Sequence, residues 1–596
     1  MSKNKSLTWD LSALYKSDTD PKIQIDKKKL KQAAQDFAKK WSEDDSYLTD
    51  PKKLLEALED YDKWLARYGT SGNIGFYFSL RQAQNMSDPK LKAELSKINQ
   101  LSNDTEDLMR FFTHKLAKIP NNQKEIFLKD EDLTPFHYFL RRLFEESDHI
   151  LSDREEKIIN RKIKPAYQDW VQLTGSLLAQ SKRTVLDHKG RKAEKNFTDI
   201  LALLSHTQTR IRDRAALAFN DILAQSADVA EAEINSVLYN KLVDDELRGF
   251  GRPESERFIS DDVPEDTVDA LIKTVKNNFH LSKQYYELKS ELLGVSTLKY
   301  HERNVPVGKI KAQIPWSEAV NIVKETFARL DPELEKIFDS LIAGGQIDVD
   351  PRANKMSGAF CASNLITSPT FILLNYTGEL RDVLTLAHEA GHAVHNELMR
   401  KHVKPIYFST SLTTAEVASI FFEDFALRTL TEKLSSKNIL FLKMEKLNDD
   451  ISTVFRQVAA FRFEQELHKE FRKQGHLSKE FIGQLFKKHM SSYMGQAVEQ
   501  SPGSENWWIY WRHFRTFFYV YSYASGSLIA KALQEQVQEN PEKISLVKNC
   551  LEQGASRSPL EIFASAGLDP TKASFWQLGL KQIKKQLTEI RSDLNE

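Results

Sequence analysis

The stretch DPKLKAELSKINQLSNDTEDLMRFFTHKLAKI, residues 88 to 119, repeats its apolar residues at three- and four-residue spacing. That period belongs to an amphipathic α-helix, whereas a half-buried strand would alternate every second residue. KKKLKQAAQDFAKKW, residues 27 to 41, has the same pattern, and segments of this kind dominate the first half of the chain. Their charged residues are the solvated faces of helices. Breaks fall at TDPKK (49 to 53), KIPNNQ (118 to 123), LDHKGRKAEKN (186 to 196) and GFGRPESERF (249 to 258), each marked by Gly, Pro or clustered polar residues. From Gln346 to Val383 the character changes. Gly and Ser punctuate short β-favouring runs such as TFILLNY (370 to 376), which predicts a small sheet inserted among helices. The expected architecture is mainly α with one minor sheet.

Composition removes several classes of function. The chain carries 84 Lys plus Arg against 84 Asp plus Glu, so no broad field favours nucleic acid or an anionic membrane. Two cysteines, Cys361 and Cys550, cannot make a disulfide scaffold or a thiolate zinc site, and they point to a reducing cytoplasm. The opening MSKNKSLTWDLSALYKSD lacks the apolar core of a signal peptide. The uncharged aromatic run TFFYVYSYASGSLIA, from Thr516 to Ala530, is too short and too polar to span a bilayer. No nucleic-acid or membrane partner is expected, and the oligomeric state is open.

The chemistry concentrates in RDVLTLAHEAGHAVHNELMR, residues 381 to 400. His388-Glu389-Ala390-Gly391-His392 is an H-E-x-x-H pattern, which chance would produce in roughly one chain in thirty of this composition. On a helix, residues four apart share a face, so His388 and His392 can converge on one ion. Glu389 projects beside them, where a base must sit to take a proton from activated water. Val383, Ala387, Ala390 and Val394 form an apolar stripe that turns the histidine face toward a cleft. His395 lies seven residues from His388, about 10 Å along the helix axis, too far to close on the same ion. The longer H-E-x-x-H-x-x-G-x-x-H pattern is absent, since His395 and Leu398 stand where its glycine and third histidine belong. A carboxylate from another element is needed, and Glu416 is the best candidate. It stands 24 residues after His392, near the start of a helix opened by Ser411, Thr413 or Thr414. Glu423, two turns later, is placed to orient a ligand histidine through its second ring nitrogen.

These residues resemble the M3 peptidases, and within them the oligoendopeptidase F branch. The resemblance is carried by LRDVLTLAHEAGHAVH and AEVASIFFED, and more weakly by WDLSALY, SGAFCAS, FILLNY and RHFRTFFYVYSYASG. It implies a two-lobed helical zincin of the gluzincin type with a deep substrate channel. Residues 1–195 would form an N-terminal helical domain and 196–596 the catalytic domain. One Zn2+ would be held by His388, His392 and Glu416, with Glu389 as general base, and short unfolded oligopeptides would be cut internally. It further implies that a tyrosine-bearing segment near the C-terminus meets the reacting carbonyl, so His513, Tyr519 and Tyr523 are candidates, with Tyr521 available beside them. Thimet-type relatives carry a Gly-rich loop here, and HFRTFF has none of those glycines. TFILLNY could bind substrate backbone if it lies at a sheet edge. The competing readings are a helical zinc carboxypeptidase and a non-catalytic peptide-binding protein.

Overall fold

The computed structural model describes residues 7–69, 71–308 and 312–595. The first residues of MSKNKSLTWDLSALYKSD therefore lie outside the described residues. The chain is mostly helical with small sheets, and it divides into two compact units, each assembled from three separate stretches of sequence.

The first unit comprises Met1–Asp148, Lys311–Lys433 and Gln536–Gly567. Asp-Pro steps open several of its helices: Asp20, Asp50, Asp88 and Asp331 cap the helices Pro21–Trp41, Pro51–Arg67, Pro89–Ala117 and Pro332–Ala343. Each aspartate accepts a backbone N–H at the helix start, and the proline occupies a position whose N–H would otherwise be orphaned. The TDPKK break is one of these starts. Phe37, Trp41, Tyr47 and Phe112 interlock in one core of this unit.

A second core in the same unit joins the N-terminal WDLSALY segment to a three-stranded sheet. The strands run in the order Ile347–Asp348, Phe371–Leu373, Phe360–Ala362, the first pair parallel and the second antiparallel. Trp9 donates its indole N–H to the Ile372 carbonyl at 2.7 Å, and its ring packs against Phe360 and Phe371. Here the expectation for TFILLNY is corrected. Its strand is central and fully buried, so it has no edge to offer a substrate, and Phe360–Ala362 is an edge instead. The run is apolar on both faces because both faces are covered.

The second unit comprises His149–Ile310, Leu434–Glu535 and Leu568–Glu596. Its longest helix is Thr209–Arg248, and a further helix, Ser436–Asp450, continues through the π-helical segment Ile451–Phe455 into Arg456–Gln474. LDHKGRKAEKN is more than a break. It forms the turn and second strand of an antiparallel hairpin, Lys182–Leu186 with Lys192–Asn196. Lys, Glu and Asn are poor strand formers, and the hairpin is held by burying Val185 and Leu186 rather than by propensity. Among the described residues, no helix is long and apolar enough to cross a membrane.

Candidate active site

The helix Leu380–His402 carries the H-E-x-x-H residues. Asp382 anchors its start by accepting the backbone N–H groups of Thr377, Gly378 and Glu379 at 2.7, 3.0 and 3.1 Å. Arg400 and Lys401 lie in the last turn, where the helix dipole favours cations. Val383, Ala387, Ala390 and Val394 are buried, which leaves His388 and His392 on the face toward a cavity of 470 Å³. Glu389, Cys361 and Asn396 also line this cavity.

The helix Leu412–Thr431 lies directly against it, with Ser411 in the N-cap position. The side chain of Thr413 lies outside the described residues. Gly391 makes the close approach possible: a β-carbon there would come within 2.8 Å of the Ser419 Cα and 2.9 Å of the Ala418 carbonyl oxygen. Because the two backbones touch at Gly391, Glu416 reaches the histidines. Its Oε2 lies 3.4 Å from His388 Nε2 and 3.6 Å from His392 Nε2. Two donors around a tetrahedral ion at about 2.0–2.1 Å are separated by about 3.3–3.4 Å, so these three atoms fit a small divalent cation.

The outer contacts agree with that use. His388 Nδ1 lies 2.9 Å from Glu423 Oε2, which fixes its proton on Nδ1 and leaves Nε2 as the donor. The Ala415 backbone carbonyl accepts from the His392 ring. Ser419 donates its hydroxyl to Glu416 Oε2 at 2.8 Å. The serine was not singled out from sequence, although its i+3 spacing from Glu416 places it on the same helix face.

The electrostatics divide these groups. Burial opposes charge on His388, but hydrogen bonds to Glu416 and Glu423 outweigh it and carry its pKa up to about 10. Glu416, against its own burial, is pulled down to about 2 by His388 and His392. Positive charge between these groups is therefore favoured, whether a proton or a metal ion supplies it. Burial, with the neighbouring His388 adding to it and Glu416 opposing, pulls His392 down to about 4, keeping it neutral with a lone pair to give. Burial pushes the Glu389 carboxyl up to about 7, so near neutral pH it can accept a proton and release one. His395 is buried apart from the donor group. Burial lowers its pKa to about 3, and its ring is held by the Leu551 backbone carbonyl.

His513, Tyr519 and Tyr523 lie together in the second unit. Trp511 donates its indole N–H to His513 Nδ1 at 3.0 Å, so the ring proton sits on Nε2, which meets the Tyr523 hydroxyl at 3.1 Å. Burial, with Arg456 and Arg512 nearby, lowers the His513 pKa and keeps the ring neutral. Tyr523 thus accepts from His513 and can donate its own proton onward. Tyr519 packs on both, its ring centroid 5.7 Å from His513 and 5.4 Å from Tyr523. Tyr521 points elsewhere: it is fully buried and donates to Asp261 Oδ2 at 2.8 Å.

Two histidines and a glutamate from adjacent helices, with a buried carboxyl between the histidines in sequence, form a group that could hold a metal ion, the arrangement expected of a helical metallopeptidase. The comparisons name the family. The model of peptidase family M3 matches residues 202–582 and that of Oligopeptidase F matches residues 115–182. The chain belongs to peptidase family M3. An oligoendopeptidase F homologue of Lactococcus lactis subsp. lactis is 24% identical over 615 residues, covering 99% of this chain and 98% of the relative. An oligoendopeptidase F homologue of Borreliella burgdorferi is 26% identical over 601 residues, with 99% and 98% covered. Among solved structures, oligoendopeptidase-F from Enterococcus faecium superimposes with a TM-score of 0.71 at 19% identity, covering 96% of this chain and 99% of that one. A structure from Chlamydophila abortus reaches 0.85 at 22% identity, with 98% of each chain covered.

Proposed function

We propose that this metallopeptidase is a cytoplasmic zinc endopeptidase that cuts short unfolded oligopeptides, with residues 1–195 as N-terminal domain and 196–596 as catalytic domain. His388, His392 and Glu416 are its ligands for one Zn2+. When bound there, the ion supplies Lewis acidity and makes water acidic enough to act as a nucleophile near neutral pH. Glu389 accepts the proton of the attacking water and passes it to the leaving amine, a role suited to a carboxyl raised to about 7 by burial. Glu423 keeps the Nδ1 proton of His388 in place. In this reading, Tyr523, with His513 donating to it, gives its hydroxyl proton to the developing oxyanion, and Tyr519 braces the pair. One such donor typically accounts for about 3–4 kcal/mol of transition-state stabilisation. The edge strand Phe360–Ala362 offers backbone groups to an extended peptide, which reads chain direction without requiring particular side chains.

The observation that carries this reading is the convergence of His388 Nε2 and His392 Nε2 on one oxygen of Glu416, at 3.4 and 3.6 Å, beside buried Glu389. The test is hydrolysis of a quenched fluorescent peptide blocked at both ends, with and without 1,10-phenanthroline, for the wild type and Glu389→Gln. Internal cleavage is expected, abolished by the chelator, restored by zinc, and reduced at least about 100-fold in Glu389→Gln. Cleavage that ignores the chelator, or a variant as active as the wild type, sinks the assignment.

A further inference from the structure

The segment that carries His513, Tyr519 and Tyr523 reverses direction at Phe517 and Phe518, whose φ angles are 48° and 53°. This left-handed region is disfavoured for any residue with a β-carbon and suits glycine, yet two phenylalanines occupy it. A run of backbone clamps holds them there. The Tyr167 hydroxyl, presented by the π-helical segment Lys164–Gln168, donates to the Arg515 carbonyl. Arg257 donates to the carbonyls of Thr516 and Phe517 at 3.0 and 3.2 Å. The Phe518 N–H donates to Glu464 Oε1 at 2.8 Å. Arg515 itself forms a buried ion pair with Glu233 at 2.8 and 3.0 Å. Four consecutive residues are thus tied through their backbones to three separate elements.

Glu464 stands apart among these groups. It is fully buried, and its Oε2 has no partner among the described residues. Placing a carboxyl there is costly, and its Oε1 accepts the Phe518 N–H. Burial pushes its pKa up to about 8, so it is mainly a neutral acid at pH 7 and accepts through one oxygen. One turn along the same helix, His468 packs its ring against Phe518 and Phe517, with centroids 4.7 and 5.6 Å apart.

We propose that Glu464 is a positioning residue: by holding the Phe518 N–H it maintains the left-handed turn that sets Tyr519 and Tyr523 against His513. This rests on the reading above, in which those three residues meet the reacting carbonyl. The turn does with clamps what glycines would do with conformational freedom.

The test uses the metal-loaded full chain and the same blocked peptide. Glu464→Gln keeps an acceptor oxygen and is expected to hold kcat within about twofold. Glu464→Met removes the acceptor while keeping length, and its kcat is expected to fall at least about tenfold with KM little changed. Adding Phe517→Gly, which accepts positive φ without strain, should recover most of that loss. A merely structural defect would not be rescued by a glycine in the turn. A crystal structure of Glu464→Met is expected to show Phe517 and Phe518 out of the left-handed region and His513 Nε2 beyond hydrogen-bond reach of Tyr523. An unchanged turn, an unchanged kcat, or a loss that Phe517→Gly leaves in place overturns the proposal. Should Glu464→Met not fold, Arg257→Met, which releases the neighbouring carbonyls, must show the same kcat loss and the same rescue, and their absence overturns it equally. Failure of the underlying reading looks different: Tyr523→Phe and His513→Gln would then leave kcat unchanged in the wild-type background.

Discussion

His388 is held between two glutamates of one neighbouring helix, its Nδ1 2.9 Å from Glu423 and its Nε2 3.4 Å from Glu416. One carboxylate sets the tautomer and the other would share a bound ion. Replacing Glu423 with Gln keeps the shape but weakens the hold on the Nδ1 proton and the basicity of the ring. Metal affinity or activity is expected to fall about 10–100-fold, read by competition with a chromophoric chelator and by kcat/KM. Unchanged affinity would mean that Glu423 is a bystander.

Gly391 sets the separation of the helices Leu380–His402 and Leu412–Thr431. In Gly391→Ala the new methyl group meets the backbone of Ala418 and Ser419 at 2.9 and 2.8 Å, where no side chain can give way. A cost of about 1–3 kcal/mol in stability is expected. Because Glu416 is carried on the helix that must retreat, metal content measured by mass spectrometry should fall below one ion per chain. A variant of wild-type stability and full metal content would show that the helices are not in contact at this point.

Tyr521 and Tyr523 should separate stability from chemistry. Tyr521→Phe leaves Asp261, already raised in pKa by burial, without its hydroxyl donor. A loss of about 1–3 kcal/mol in unfolding free energy with kcat near wild type is expected. Tyr523→Phe should do the reverse, lowering kcat about 100–1,000-fold with the melting temperature little moved. Parallel melting curves and initial rates decide between them.

Asp348 supplies a pH signature for the sheet. It is fully buried and pairs with Arg352 at 2.6 Å and with fully buried Lys355 at 2.8 Å. Burial works against its charge, but these two cations hold its pKa below the ordinary carboxylate value. A depressed folded-state pKa contributes stability above the unfolded value of about 3.9, lost as pH falls through the folded one. Asp348→Asn should therefore cost about 3–5 kcal/mol at pH 7, mainly by leaving the buried Lys355 ammonium, whose other acceptors are backbone carbonyls, without its counter-charge. The gap to wild type should narrow below about pH 4 in denaturant titrations. A gap independent of pH would show that the carboxylate charge is not what matters.

The helical architecture was readable from the chain because three- and four-residue periodicity is local, and the pairing of His388 with His392 follows from the same period. Glu416 could be singled out because a short connection between two helices brings them back side by side. TFILLNY was recognisable as a strand but not as a central one, because strand order depends on partners far away in sequence. The Lys182–Asn196 hairpin escaped because its charged residues carry no strand propensity. The turn at Phe517 and Phe518 escaped for a similar reason: phenylalanine does not announce a positive φ, and the clamps come from Tyr167, Arg257 and Glu464, up to 348 residues away. The sequence favoured Tyr519 and Tyr523 but could not say which of the three tyrosines meets the substrate, because that depends on partners such as the Asp261 that holds buried Tyr521.

The unit that holds His388, His392 and Glu416 is stitched from three stretches, the first containing Trp9 and the last containing Leu551, whose carbonyl braces His395. On the ribosome, Trp9 must wait for Ile372 before its indole finds a partner, and His395 must wait for Leu551. At roughly 5–20 residues per second, the stretch from His395 to Leu551 takes about 8–30 s to add. The cavity wall is therefore completed late, and a growing chain that has not yet reached Leu551 lacks the brace that holds His395 in that wall.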